Sequence, residues 1–126
     1  METPFLYFIG PKSESKSVNP LWTNLTSAVN TNGVIFNWDV RKATANLKKH
    51  GIDFREAATI FADPLSTTFP DQDHSEFEHR FLTVGQSIRG RILVVAHTEE
   101  NDTIRIISAR EATRREQSFY EENESE

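Results

Sequence analysis

Apolar residues recur at two spacings along this chain, and the change from one to the other divides it. Val34, Phe36 and Trp38 fall on one side of a two-residue alternation, which predicts a short strand. Asp39 then reads as an N-cap and Gly51 as the residue that ends a helix, bracketing one over about 40–50 with a thin stripe of Val40, Ala43 and Leu47. Asp53 caps a second helix, Glu56 three residues on completes a capping-box-like pair, and Phe54, Ala57, Ala58 and Phe61 supply its buried side. Asp63-Pro64 stops that helix, and 65–69 has strand character ended by Pro70. From Phe77 onward the pattern becomes one of hairpins, with strands over about 77–85, 91–98 and 103–110 and turns at 86–90 and 99–102. The middle strand is apolar on both sides (Leu93 and Val95 against Ile92, Val94 and Ala96), so it belongs at the centre with cover on both faces. A helix over about 111–122 follows.

Residues 1–33 follow neither spacing. Pro4, Gly10, Pro11 and Pro20 interrupt any period, and Ser, Asn and Thr dominate from Ser13 to Asn32. This stretch reads as a loosely structured extension in which Leu21-Trp22 and Leu25 offer a short docked turn and Asn32-Gly33 a turn into the first strand. The expected organisation is therefore an extension over 1–33, one domain over 34–122 and an acidic tail over 123–126. A chain of 126 residues suits one core. The expected fold is α+β, with two N-terminal helices, an antiparallel sheet made of the three-strand meander plus one or two further strands, and a C-terminal helix. There is no cysteine, which removes disulfides and thiolate metal sites and fits a reducing cytoplasm. The run Ile92-Leu93-Val94-Val95-Ala96 is far short of the roughly 18 apolar residues of a membrane span, and no basic residue precedes the apolar Phe5-Leu6-Tyr7-Phe8-Ile9. A soluble cytoplasmic protein is expected.

The net charge of −5 argues against a nucleic-acid binder that works through bulk attraction, but the charge is unevenly placed. Residues 80–115 hold seven arginines against four acids, and 116–126 hold five glutamates and no base. Arg105 and Arg110 lie in the strongly apolar run that leads into the last helix, where a guanidinium must be paired or must face an oxyanion. Five residues apart on a regular strand they would point to opposite faces, so a bulge or strand exit near Ser108-Ala109 is needed to bring them together. Alternatively, each pairs with a carboxylate such as Glu78 or Glu116 and ties sheet to helix. Arg89, Arg91, Arg114 and Arg115 extend the basic region. Tyr120, one helical turn past Glu116, is placed either to meet a base or ribose or to form an ordinary i,i+4 surface pair. Lys48, Lys49 and His50 are explained by the helix dipole, yet a histidine beside phosphate-binding lysines also suits proton transfer. His74, Glu76, Glu78 and His79 match no metal-ligand spacing, and His97 reads as a satisfied sheet residue.

Seven blocks in order, Phe36-Asn37-Trp38-Asp39, the run from Asn46 to Ala57 with its Lys48-Lys49-His50-Gly51, Phe61-Ala62-Asp63-Pro64, Glu78-His79-Arg80-Phe81, Val84-Gly85, the run from Gly90 to Val95, and 104–116, closely resemble the BrnT family of type II toxins. The resemblance covers about 34–122. It implies a RelE-like ribonuclease that needs neither metal nor other cofactor and arrests growth by cutting RNA. It also implies a BrnA-like ribbon-helix-helix antitoxin as partner, with DNA contacted only through that antitoxin and no membrane involved. Carried onto this sequence, the matched positions are Lys48, His50, Arg80, Arg91, Arg105, Arg110 and Glu116. With Arg114 and Tyr120 added from the basic region and the last helix, the expected catalytic residues are Arg105, Arg110, Glu116 and His50, and the expected RNA-binding residues are Lys48, Arg80, Arg91, Arg114 and Tyr120. Together they are expected to converge on one scissile linkage. Two departures stand out, the extension over 1–33 and Glu100, where the pattern leads one to expect an arginine. The second is what favours the alternative of a non-catalytic protein that binds RNA or an antitoxin on the same fold.

Overall fold

In a computed structural model describing residues 26–31, 33–72 and 79–124, the alternating and helical patterns resolve into six strands and three helices. The strands are β1 Thr26–Thr31, β2 Val34–Asp39, β3 Thr67–Pro70, β4 Arg80–Gln86, β5 Ile92–Glu100 and β6 Thr103–Glu111. The helices are α1 Val40–His50, α2 Phe54–Thr59, continued by a 3-10 turn over Ile60–Ala62, and α3 Arg114–Glu124. One sheet holds all six strands in the order β1-β2-β6-β5-β4-β3. The Leu21-Trp22-Leu25 turn and the acids and histidine at 74–78 lie outside the described residues. No described helix is long and apolar enough to cross a membrane.

Local chemistry sets the ends of the first two helices. Asp39 Oδ1 accepts from the backbone N–H of Arg41 at 2.8 Å, and Gly51, at φ 72°, returns its N–H to the carbonyl of Leu47 at 2.9 Å. Asp53 Oδ1 accepts from Arg55 N–H at 2.7 Å. Asp63 Oδ1 takes the N–H of Leu65 at 2.9 Å, which makes that residue part of a turn, so β3 starts at Thr67 rather than at 65.

Both helices lie on the same face of the sheet. Phe54, Ala57 and Ile60 from α2 and its 3-10 extension, with Ala43 of α1, pack on Phe36, Trp38, Leu93, Val95, Ile106 and Ala109. Fully burying one such large side chain is worth about 2–3 kcal/mol, so this layer is the main source of stability. The other face carries a smaller cluster in which Tyr120 of α3 covers Val84 and Val94. β5 is central as its composition requires, with Leu93 through Ala96 all buried.

Three expectations need correction. Thr26–Thr31 is a strand, paired antiparallel with β2 through Val29 opposite Phe36 and Thr31 opposite Val34, and Gly33 turns between them at φ 83°. Its Ser, Thr and Asn content hid it, because an edge strand needs few apolar residues. The sheet is mixed rather than antiparallel, with three strands beyond the meander, and β2 pairs parallel to β6 through Asn37 opposite Arg105. The two are brought together by the long path through α1, α2 and three strands, a pairing no short-range pattern encodes. The last helix begins at Arg114 instead of 111 because β6 runs on to Glu111, opposite Leu93. Thr113 then caps it reciprocally, Glu116 N–H donating to Thr113 Oγ1 at 3.2 Å and Thr113 N–H donating to Glu116 Oε1 at 2.8 Å.

Candidate functional site

The pairing of β5 with β6 shifts register between Ala96 and His97: Ala96 lies opposite Ser108, and His97 opposite Ile106. Ile107 is the extra residue of a β-bulge. Side chains that would alternate without interruption from Arg105 to Arg110 instead skip one step, so both arginines project from the face that α3 covers in part. Their partners on β5, Thr98 and Val94, are four residues apart, about 13 Å at the usual rise per residue. That is the spacing of the backbones; the two long side chains rise from one face and can reach toward the same bound oxyanion.

Arg105 sits in a row of paired residues running across four strands: Asn37 on β2, Arg105 on β6, Thr98 on β5 and Arg80 on β4. Its Nη1 donates to Asn37 Oδ1 at 2.9 Å, and among the described residues it meets no carboxylate. A half-buried guanidinium whose other donors meet no protein acceptor among the described residues has the chemistry to bind an oxyanion. Arg80 is half-buried in the same row.

Arg110 is held differently. Its Nη1 and Nη2 donate to Glu116 Oε1 and Oε2 at 2.8 and 3.0 Å, a two-pronged clasp between β6 and the first turn of α3. The guanidinium, helped by the Thr113 N–H, brings the Glu116 carboxyl down to about 2, and the carboxylate raises Arg110 in return. At neutral pH Glu116 is ionised, and while clasped it is a weak base. Arg114 begins α3 and is exposed.

The other expected site residues are not in this arrangement. Lys48 and His50 are exposed on α1, which packs on the opposite face through Ala43 and through Asn46, whose Nδ2 donates to the Ala109 carbonyl at 2.8 Å. The sheet separates them from Arg105 and Arg110. Arg91, just before β5, turns its guanidinium to the side of α2, although it also borders a cleft with Gln117 and Tyr120 of α3. Its Nε donates to Glu56 Oε2 at 3.0 Å, its Nη2 to Glu56 Oε1, and its Nη1 to Glu111 Oε2 at 3.4 Å. Glu56 is buried, also accepts from Ser87 Oγ at 2.7 Å, and is lowered chiefly by Arg91, so the donors of this arginine are taken up within the fold. Tyr120 is buried rather than displayed to a ligand, and its hydroxyl donates to Asp63 Oδ2 at 2.6 Å. Convergence of all these groups on one linkage does not occur.

His97 is fully buried on the helix side between Phe61 and Phe81, with Nε2 2.7 Å from Thr83 Oγ1. Its Nδ1 lies 3.4 Å from Glu99 Oε2 without making a hydrogen bond, and burial pushes the imidazole down to about 4. It is neutral at physiological pH.

Sequence reasoning missed Asn37 and Thr98, the neighbours that fix Arg105. The available signal was Asn37 itself, a polar residue on the face of β2 that Phe36 and Trp38 do not use. It missed Glu56 as the clasp of Arg91 because a capping role already accounted for that residue.

Comparison with known proteins adds a family. Residues 38–116 match the family described as the ribonuclease toxin, BrnT, of type II toxin-antitoxin systems. The crystal structure of the Brucella abortus ribonuclease toxin, BrnT, is similar at 24% sequence identity and a TM-score of 0.49, covering 61% of this chain and 94% of that one. No curated protein matches the chain.

Proposed function

Because the chain belongs to the BrnT family of ribonuclease toxins of type II toxin-antitoxin systems, we propose that it is an endoribonuclease acting on RNA along the α3-side face of its sheet. The observation that carries this reading is the bulge at Ile107, which turns Arg105 and Arg110 to one side. On a RelE-like fold the cut is an internal displacement. The ribose 2′-hydroxyl gives up its proton to a base, its oxygen bonds to the adjacent phosphorus, and the bond to the 5′ oxygen breaks as that oxygen takes a proton from water, leaving a 2′,3′-cyclic phosphate and a 5′-hydroxyl.

Charge builds on the phosphate oxygens during that step, and fixed guanidinium donors stabilise it most where they need no reorganisation. Arg105 is ready for this, held by Asn37 with donors to spare. Arg110 is engaged by Glu116 until a phosphate competes for its donors. Once that happens Glu116 loses the cation that depresses it, its pKa moves back toward the ordinary carboxylate range, and it becomes a base fit to take the 2′ proton. Arg80 and Arg114 extend the cationic track. Lys48, His50, Arg91 and Tyr120 have no part in the chemistry of this face.

The mechanism needs no metal, and the protein acts in the cytoplasm until a BrnA-like ribbon-helix-helix antitoxin binds it; DNA is contacted only by that antitoxin. The test is incubation of the purified protein with end-labelled RNA in excess chelator. Products ending in 2′,3′-cyclic phosphate are expected, and loss of cleavage on chelation contradicts the metal-free route. A second reading, a non-catalytic protein that binds RNA or its antitoxin on this face, is favoured by the Arg110–Glu116 clasp, which leaves one of the two key cations neutralised. That reading predicts RNA bound and released intact.

A further inference from the structure

At the hairpin end of the same face lies a pocket of about 250 Å³ lined by Asn37, Thr98, Glu100, Asn101, Thr103 and Arg105. Register explains its composition. Glu100 is opposite Thr103, Thr98 is opposite Arg105, and Arg105 is opposite Asn37, so the five side chains share one side of three adjacent strands. The two-residue turn between β5 and β6 is tight, with Asn101 at φ 57°, and the Asp102 carbonyl accepts from Ile35 N–H at 2.9 Å, which anchors the turn to β2. The pocket wall is therefore preformed.

The informative feature is a carboxylate and a guanidinium in one pocket that do not pair. Arg105 donates only to Asn37, and Glu100 has no hydrogen bond or ion pair among the described residues. Across an antiparallel pair, diagonal neighbours sit roughly 7–8 Å apart, within reach of long side chains, so the two groups can share a ligand, yet Arg105 turns to Asn37 instead of Glu100. Next to a track that binds phosphates, an unpaired carboxylate repels RNA unless the ligand brings it hydrogen-bond donors. Below the roughly 300 Å³ at which pockets for drug-sized ligands begin, the space suits one base.

We infer that this pocket takes the base of the nucleotide whose phosphate Arg105 holds, and that Glu100 selects guanine. Guanine alone presents two adjacent donors, N1–H and the 2-amino group, to the two oxygens of a carboxylate. Adenine sets the N1 lone pair against Glu100, cytosine sets its N3 lone pair beside its one amino donor, and uracil offers one N–H flanked by two carbonyl acceptors. Thr98 and Thr103 supply hydroxyls to the remaining edge. The inference rests on the ribonuclease reading for its biological meaning but not for its test.

Titration of the full-length, isotope-labelled protein with guanosine, inosine and adenosine 3′-monophosphates, followed at the amides of Thr98, Asn101 and Thr103, reads the pocket without requiring any cleavage. Guanosine monophosphate is expected to bind on the order of tenfold more tightly than the adenosine compound, with the inosine compound, lacking the 2-amino group, between them. Glu100→Gln, checked by its melting temperature to be folded, should remove the gap. Equal binding of the guanosine and adenosine compounds overturns the inference, as does a gap that survives Glu100→Gln. On mixed-sequence RNA, cuts should fall beside guanosine roughly tenfold more often than beside adenosine. Efficient cutting without that bias sinks the guanine pocket and leaves the ribonuclease reading standing. Selective guanosine monophosphate binding by a protein that cuts no RNA supports the pocket and removes the ribonuclease reading instead.

Discussion

Arg91, just before the start of β5, and Arg105, in β6 opposite the far part of β5, are the same residue type, and they do opposite things. Arg91 meets Glu56 and Glu111 on the helix side, where a buried carboxylate uses up its donors. Arg105, on the other face, meets only the neutral amide of Asn37. The difference comes from what each face is built to hold. The helix side is a dry layer of Phe36, Trp38, Phe54 and Ile60, in which a charge must be matched inside the protein. The α3 side is half covered, so a cation can wait there for a ligand. Arg110 falls between the two, clasped by a carboxylate that is itself partly exposed and so open to exchange.

The contrast can be broken from either side. Arg91→Ala leaves the buried Glu56 with only the Ser87 hydroxyl and the exposed Arg89 guanidinium 3.9 Å away, and is expected to destabilise the fold by about 3–4 kcal/mol, measured by denaturant unfolding. Close behind comes acid. The buried His97 titrates at about 4 when folded and near 6.5 when unfolded, so the unfolded chain takes up its proton first as pH falls. The stability from burying the neutral ring is full above about pH 6.5 and is lost on going down to 4, up to about 3 kcal/mol. Glu116, at about 2, keeps its clasp through that window, and thermal melts of wild type and His97→Gln across pH 4–7 should separate the histidine contribution. Glu116→Gln is expected to slow RNA cleavage about a hundredfold by removing the base, read in single-turnover assays at saturating protein. The smallest effect is that of Thr113→Ala, which removes the cap of α3 and should cost about 1 kcal/mol in thermal unfolding.

Legibility in the sequence tracked how local each cause was. The caps at Asp39, Gly51 and Asp53 were readable because the residues that satisfy the helix ends are neighbours in the chain. The central place of β5 was readable from its two apolar faces. The bulge at Ile107 could be named as a requirement but not located, since it exists only through the pairing of Ala96 with Ser108 and of His97 with Ile106. The same holds for β1, whose polar residues make a strand only because β2 offers its edge, and for the parallel match of Asn37 with Arg105. Site residues suffered most. Lys48 and His50 join the arginines through the family resemblance of the Lys48-Lys49-His50-Gly51 block, and only the packing of α1 through Ala43 and Asn46 assigns them to the other side.

The most direct test of the account compares Arg105→Ala with Arg91→Ala in one cleavage assay, with activity expressed per folded molecule. Arg105→Ala should lower RNA cleavage by about a hundredfold to a thousandfold and leave the melting temperature where it was, whereas Arg91→Ala should lower the melting temperature and spare cleavage by the molecules that remain folded. Cleavage that survives Arg105→Ala, or that vanishes with Arg91→Ala in protein shown to be folded, would place the chemistry on the wrong face of this sheet and contradict the account.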